Sequence, residues 1–282
     1  MVPLMSAPMY TFETLEPISV DLNIEFGGAR IIAGARQTTV VEVRPVNEAR
    51  RADVEAAEAT RVQFAGGRLE VRAPKARRLS LFGKPGAIEV IIQLPSSSHL
   101  QGDTAYGDFE VEGSLGDCFL KTSYGSLRVE VAEGLRLQTS AGNITAGRVA
   151  GVAELTTSWG DLRIGETGAP ATLKTSGGDI RVERAGDAIT ARTAYGAIQV
   201  ARAVRGQLEL TTSYGDLEVG VADGTATFLD LRSGYGAVRN QLDRVDHVPP
   251  PEEFLKVRAV TSYGDIKIFR AGPVVAAEGG NR

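Results

Sequence analysis

The 282-residue sequence is poor in the residues that build metal centres and disulfide frameworks. It holds one cysteine, Cys118, and two histidines, His99 and His247. An internal disulfide and a multi-cysteine zinc site are therefore excluded, and little remains for a histidine relay. We expect no cofactor and no resident metal. The formal net charge of −4 argues against general nucleic-acid binding, so no nucleic-acid partner is expected.

Long apolar runs are missing as well. The longest, such as residues 88–92, have the length of a strand and fall far short of the roughly 20 apolar residues that cross a bilayer. The start, MVPLMSAPMYTFETLEP, lacks the basic and then apolar pattern of a secretory signal. We therefore expect a cytoplasmic chain without a transmembrane segment. Association with the cell envelope and peripheral contact with a membrane stay open as alternatives.

Glycine is abundant, with 33 copies beside 12 prolines, and many of these glycines mark an internal repeat. An octet of the type TSYGDLEV occurs nine times, and its glycines are most often 18 residues apart. Such a fixed period is the signature of a repeat architecture. The nine glycines are Gly107, Gly125, Gly142, Gly160, Gly178, Gly196, Gly215, Gly236 and Gly264.

The positions around each glycine predict two strands joined by a tight bend. The residue two after the glycine is apolar in all nine copies, and the residue four after it is apolar in every copy except at Asn240. Apolar residues two apart indicate a strand with one buried face. The residue three before the glycine is threonine in eight copies and Ser233 in the other. We predict that this hydroxyl bonds a backbone group near the bend.

A period near 18 residues is too short for a propeller blade and fits one coil of a β-solenoid. The sequence therefore predicts an all-β, single-domain β-solenoid, similar to a right-handed parallel β-helix, with about nine 18-residue coils. If the coils stack in chain order, outward-facing residues become neighbours. The expected pairs are Glu110 with Arg128, Arg163 with Arg181, and Glu218 with Arg239.

The remaining segments frame the repeat. Residues 1–9 are expected to be a flexible N-terminus, and 10–99 an irregular β segment that turns at Gly27-Gly28 and caps the solenoid. This cap contains one short helix over 47–59, with Asn47 as its N-cap. Repeats fill 100–270, interrupted by a proline-rich insertion at 242–254, and 271–282 are expected to be a flexible tail.

One stretch carries a family resemblance. The strand IEVIIQLP at 88–95 is followed by SSHLQGDTAYGDFEV and then by repeated TS-x-G-D-[LI]-x-V units. In these features the chain resembles the bacterial toast-rack family of adhesin-like β-strand repeats, from about Thr11 to Phe269. The resemblance implies a one-domain β-solenoid of unknown function, and in some members a link to the cell envelope or its stress response. It supplies no catalytic residues.

Aromatic residues precede the glycine in seven of the nine copies. Exposed rings would form a ladder suited to polysaccharide or to self-association. Rings that face inward would instead close the narrow end of the core, and counting inward and outward positions along the strand favours this second arrangement. The residues are Tyr106, Tyr124, Trp159, Tyr195, Tyr214, Tyr235 and Tyr263.

Acidic or amide residues follow the glycine in most copies. Stacked carboxylates could bind calcium, but the GGxGxD spacing of calcium-binding repeats is absent, and Asp and Asn favour such bends by bonding their own backbone. The closest pair, Asp161 and Asp179, also raises the possibility of a polysaccharide-cleaving enzyme. Such sites usually carry additional Lys, Arg or His groups in a groove, and both histidines lie far away in the sequence, so we do not expect an enzyme. The column is Asp108, Asn143, Asp161, Asp179, Asp216 and Asp265.

A basic segment at 68–84 carries six basic side chains against one acidic one. Its candidates for contact with an anionic surface are Arg72, Lys75, Arg77 and Arg78, and the alternative is a solvated loop near the end of the solenoid. Cys118 falls in an inward column and is expected to be an inert core residue.

These features favour a non-enzymatic scaffold or interaction module with a protein partner or self-association. Two alternatives stay open: an envelope-associated, adhesin-like binding domain for an anionic surface or polysaccharide, and a polysaccharide-acting enzyme.

Overall fold

The computed structural model describes residues 8–74, 85–243 and 254–272, which form 24 β-strands and one helix. The strands are β1 (Met9–Glu13), β2 (Ser19–Gly34), β3 (Thr38–Pro45), β4 (Arg61–Ala65), β5 (Arg68–Arg72), β6 (Ile88–Pro95), β7 (His99–Tyr106), β8 (Phe109–Leu115), β9 (Cys118–Lys121), β10 (Leu127–Ala132), β11 (Leu135–Gln138), β12 (Ile144–Val149), β13 (Ala153–Thr156), β14 (Leu162–Thr167), β15 (Ala171–Lys174), β16 (Ile180–Ala185), β17 (Ile189–Arg192), β18 (Ile198–Ala203), β19 (Gly206–Tyr214), β20 (Leu217–Val221), β21 (Ala226–Tyr235), β22 (Val238–Asn240), β23 (Phe254–Tyr263) and β24 (Ile266–Arg270). The helix, α1, is Arg51–Glu58.

Each repeat is one coil with two strands. The strand before the corner glycine belongs to a first sheet, which contains β9, β11 and β13, and the strand after it belongs to a second sheet, which contains β10, β12 and β14. Equivalent strands of successive coils pair in parallel. This arrangement confirms the predicted all-β solenoid.

Register is kept from coil to coil, so equivalent apolar residues lie on top of one another. In the second sheet Leu127 pairs with Ile144, Ile144 with Leu162, and Leu162 with Ile180, and all four side chains are buried. Burying one such side chain contributes about 1.5–3 kcal/mol. The apolar faces of the two sheets thus form one continuous core.

The coils do not follow chain order at either end of the stack. At the N-terminal end, β2 pairs with β5 and β7 in the first sheet and with β6 and β8 in the second. The first coil of the chain therefore lies between the second and the third. At the other end, β23 lies between β19 and β21, and β24 lies between β20 and β22.

This order corrects one of the three expected side-chain pairs. Glu110 lies beside Arg128 and Arg163 beside Arg181, as predicted. Glu218, however, neighbours Lys267, and Arg239 lies one coil further away. The exchange places the least apolar coil at the end of the stack, where the exposed Asn240 faces no further coil and costs little.

The N-terminal end is covered by antiparallel strands. β1 and β3 extend the second sheet beyond β6, and the hairpin of β4 and β5 turns at Gly66-Gly67 in the first sheet. Helix α1 packs against β3 and β6. The cover leaves the short strands β1 and β4 outermost at this end, and short edge strands invite less pairing with another chain.

Three details of this N-terminal block differ from expectation. Met9 already belongs to β1. β2 does not stop at Gly27-Gly28 but bends there, at a φ of 121° for Gly27, and passes from one sheet to the other. The helix begins at Arg51, with Arg50 as its N-cap residue, and Asn47 lies in a separate turn before it, where its side chain accepts the amide of Ala49 at 2.9 Å. Residues 1–7, 244–253 and 273–282, which hold most of the predicted flexible ends and the insertion, lie outside the described residues.

Each bend depends on a glycine and a hydroxyl. The corner glycines of the central coils have φ near +150°, and a Cβ on Gly178 would lie 2.1 Å from the carbonyl oxygen of Gly160 in the preceding coil. The predicted hydroxyl bonds are confirmed: each donates to the corner-glycine carbonyl of the adjacent coil, at 2.9–3.3 Å. The donors are Thr104, Thr122, Thr139, Thr157, Thr175, Thr193, Thr212, Ser233 and Thr261.

Cys118 is a core residue, and burial raises the pKa of its thiol from 9.0 to about 12. We expect no reaction with a thiol reagent at mildly alkaline pH until urea unfolds the chain, since the thiolate is the reactive form. The folded pKa lies above the unfolded one, so this group stabilises the fold fully below pH 9 and loses that effect as the pH rises towards 12. Urea unfolding of wild type and Cys118→Ala at increasing pH measures the difference. Rapid labelling of the Cys118 thiol in the native protein would contradict the prediction that it does not react.

Candidate functional site

The aromatic residues beside the corner glycines face solvent. Their exposed fractions run from 46% for Tyr263 to 71% for Tyr235, so the expectation that the rings close the core is wrong. Counting inward and outward positions through the bend assumes that the strand continues there. In the central coils the regular pairing is interrupted at the bend, as between Gln138 and Ile144, where an isolated bridge at Ala141 remains, and the alternation starts again after the glycine.

Most of the rings stack face to face along the solenoid. One stack contains Phe26, Tyr106 and Tyr124, with centroids 5.3 and 5.0 Å apart. A second stack contains Tyr195, Tyr214, Tyr263 and Tyr235 in that spatial order, with centroids 4.9–5.2 Å apart and planes within 6°. Because neighbouring rings cover each other's faces, the stacks present ring edges and hydroxyl groups to solvent.

Phe26 was missed by the sequence reasoning. It precedes Gly27 just as the tyrosines precede their glycines, and Ala29 and Ile31 follow at the two apolar positions. Ile24 replaces the usual threonine, which hides the repeat in β2. The pattern of an aromatic residue, a glycine and two alternating apolar residues would have found this coil.

Trp159 lies alone between the two stacks. Its neighbours along the ladder are Ala141 on one side and Gly177 on the other. The indole lies over Gly177, because a Cβ on that glycine would be 2.6 Å from its Cε3 and Cζ3 atoms. No ring occupies the position at Ala141. We call the gap lined by Tyr124, Ala141 and Trp159 the notch; Trp159 is 67% exposed there.

The polar column after the glycine has a structural role that differs from the predicted one. The Oδ1 atom of each of these six residues accepts a backbone amide of the adjacent coil at 2.7–3.0 Å, rather than an amide of its own turn. Asp161 bonds the amide of Asp179 in this way. Among the described residues no cluster of His, Cys, Asp or Glu has the arrangement of a metal site.

A polar cavity of about 170 Å³ adjoins the notch on the second sheet. It begins directly after the corner glycines of the three coils that form the notch. Asn143 lies at its centre, and the Nη2 atom of Arg163 is 3.5 Å from Oδ2 of Asp161. The lining residues are Ser126, Leu127, Arg128, Asn143, Thr145, Asp161 and Arg163.

The described part of the basic segment is locally neutralised. Arg68 and Arg72 contact Asp21 at 2.8 and 3.5 Å and Glu70 at 3.4 Å. The other predicted anion-binding residues, Lys75, Arg77 and Arg78, lie outside the described residues. Arg72 therefore gives little support to an anionic-surface site on its own.

The sequence profile described as Toastrack DUF4097 matches residues 30–269, most of the chain. The chain belongs to the Toastrack DUF4097 family. The predicted resemblance is thereby confirmed. No curated protein matches the sequence. In the part of this Toastrack chain that the structure describes, no helix has the length and apolar content required to span a bilayer.

Solved structures similar to this Toastrack chain share little sequence with it. A "putative adhesin" from Bacteroides fragilis has 12% identity and a TM-score of 0.44, with 95% of this chain and 98% of that chain covered. One from Parabacteroides distasonis has 11% identity and a TM-score of 0.40, with 93% and 97% covered. A "putative lipid binding protein" from the same species has 11% identity and a TM-score of 0.41, with 95% and 98% covered.

Proposed function

We propose that this Toastrack chain is a non-enzymatic binding module whose contact surface is the aromatic corner of the solenoid. The observation that carries the proposal is the row of exposed rings on a rigid edge, with Trp159 and Tyr235 about two-thirds exposed or more. Large exposed aromatic surfaces are uncommon on soluble proteins unless they meet a partner. Stacking holds the rings in place before binding, which reduces the entropy lost on association.

The neighbouring acidic residues have a structural role in the solenoid. Asp161 and Asp179 each accept a backbone amide of the next coil with one carboxylate oxygen. This role accounts for their alignment along the stack without a catalytic one, and non-enzymatic action is part of the proposal.

The cellular compartment of the protein is also a matter of proposal, with the cytoplasm and the cell envelope as the two alternatives. Cytoplasmic placement is the prediction from the sequence, whereas a polysaccharide ligand favours the envelope alternative. Fractionation of the native cells, with immunodetection of this chain, distinguishes the two.

The binding surface is tested by retention of the full chain on beads coated with polygalacturonate, on beads coated with a neutral glucan, and on anionic vesicles. We expect wild type to be retained on at least one surface, and the triple variant Tyr195→Ser, Tyr214→Ser and Tyr263→Ser to be released. A matched control changes Arg136, Glu154 and Thr172 to Ser on the outer face of the first sheet and should bind as wild type does.

Two results would overturn the proposal. One is equal retention of the triple variant and wild type, or retention of neither, when thermal melting shows that both proteins are folded. The other is the appearance of new reducing ends in the bound polysaccharide, which would show cleavage.

A further inference from the structure

We propose that the notch binds one pyranose unit of an acidic polysaccharide. The sugar ring lies between Tyr124 and Trp159, and its carboxylate meets Arg128 and Arg163. This inference rests on the proposed function and assigns it a ligand class and a position.

The spacing of the coils suits a sugar ring. Tyr124 and Trp159 are two coils apart with Ala141 between them, which is about 10 Å at the usual strand spacing of ~4.8 Å. Apolar groups make contact at heavy-atom separations of about 4–4.5 Å. A pyranose with one face against each aromatic ring therefore fills the gap, since the C–H groups of a sugar pack on aromatic faces.

The ladder lacks a ring at two coils, at Ala141 in the notch and at Gly177, and the indole of Trp159 covers the second of these positions. Within either stack, each ring covers the face of its neighbour at about 5 Å, and a sugar cannot enter. Ala141 removes one ring and opens the face of Tyr124. Gly177 leaves space for the indole of Trp159 to pack over its backbone, and any larger residue there would displace the indole.

Trp159 contributes no ring-to-ring stacking in the described ladder, unlike Tyr214, which stacks on two neighbours. Each such pair contributes about 0.5–1.5 kcal/mol beyond burial. The largest aromatic residue of the ladder thus gains no stacking energy from a neighbouring ring. This placement suits a residue that binds a ligand.

The adjoining cavity supplies hydrogen-bonding groups on the three coils that form the notch. Oδ1 of Asn143 accepts the amide of Asp161 at 2.9 Å, which leaves its amide nitrogen to donate. Every other acidic or amide residue in this column is Asp. A donor therefore replaces a second carboxylate oxygen at the coil of Ala141, which forms the notch.

The charge of the cavity favours an acidic sugar. Arg128 is exposed and makes no ion pair or hydrogen bond within the described residues, while Arg163 is shared with Asp161. The lining of the cavity holds two guanidinium groups and one carboxylate, and Glu110, which neighbours Arg128 in the preceding coil, is not part of that lining. A guanidinium pairs well with a carboxylate in a two-pronged geometry, as the carboxylate of a uronic acid would offer.

Trp159 is the single tryptophan of the chain, so its fluorescence reports on the notch alone. The full chain is titrated with short oligomers of galacturonate, glucuronate and mannuronate, and with a neutral galactose oligomer. We expect a saturable shift of the emission to shorter wavelength with at least one uronate. Binding of that uronate should weaken about tenfold or more in Arg128→Ala.

Two further variants separate the notch from the rest of the surface. Ala141→Tyr places a ring in the gap, continues the stack of Phe26, Tyr106 and Tyr124, and should abolish the fluorescence response while thermal stability is kept. The control variant with Arg136, Glu154 and Thr172 changed to Ser lies on the outer face of the first sheet and should leave the response unchanged.

The proposal is overturned if no uronate changes the emission of wild type, if the neutral oligomer binds as tightly as the uronates, or if Ala141→Tyr binds as wild type does. Bead retention that depends on Tyr195, Tyr214 and Tyr263 but not on Ala141→Tyr would overturn the notch and leave the proposed function standing. If bead retention depends neither on the three tyrosines nor on Ala141, both the notch and the proposed function are overturned.

Discussion

Gly178→Ala is expected to lower the free energy of unfolding by about 3 kcal/mol or more, as measured by urea denaturation. The backbone at Gly178 has a φ of 146°, and the added Cβ would meet the carbonyl oxygen of Gly160 at 2.1 Å. The backbone of two coils must move to relieve that contact. The movement also disturbs the hydroxyl bond from Thr175 to Gly160.

The matched control is Gly34→Ala. A Cβ on Gly34 meets no atom within 4 Å, so this change should alter stability by no more than about 0.5 kcal/mol. Equal effects of the two substitutions would show that the corner does not require glycine.

The exchanged coil order predicts a crosslink that chain order forbids. In the double variant Glu218→Cys and Lys267→Cys, the two thiols lie on paired positions of β20 and β24, and a disulfide should form under mild oxidation. In Glu218→Cys and Arg239→Cys, a coil separates the positions by about 10 Å, whereas a disulfide spans roughly 7 Å at most between Cα atoms. Native Cys118 is buried and does not compete.

Electrophoresis without reductant and peptide mass mapping identify the disulfide. Preferential crosslinking of the pair with Arg239→Cys would mean that the coils stack in chain order after all, and would remove the explanation for the end position of β22.

Within a single coil, the sequence was sufficient to predict structure. The alternation around Leu127 and Ile144 and the threonine at Thr139 fall where simple strand geometry places them, facing inward. This direction depends on residues a few positions apart, and the short-range alternation of the sequence shows it. The bond partner of Thr139, the carbonyl of Gly125 in the adjacent coil, required the structure.

The orientation of the aromatic rings could not be predicted from the sequence, because it depends on the local backbone conformation at the bend. Whether Tyr124 points inward depends on the dihedral angles of Ser123 to Gly125, and a change of one bend reverses the face. The sequence marks the bend by its glycine but does not state how far the chain rotates there. The exposed ladder and the notch are therefore products of the bend geometry.

The amino-acid pattern alone determined that this chain coils, how long each turn is, which side chains form its interior and to which family it is similar. The three-dimensional arrangement decided which coil lies at each end, and that the tyrosines and Trp159 reach the surface. The reason is physical. Burial favours any stack of compatible apolar faces almost equally, so coil order depends on contacts between distant segments, and ring exposure depends on a backbone rotation that no single residue type specifies.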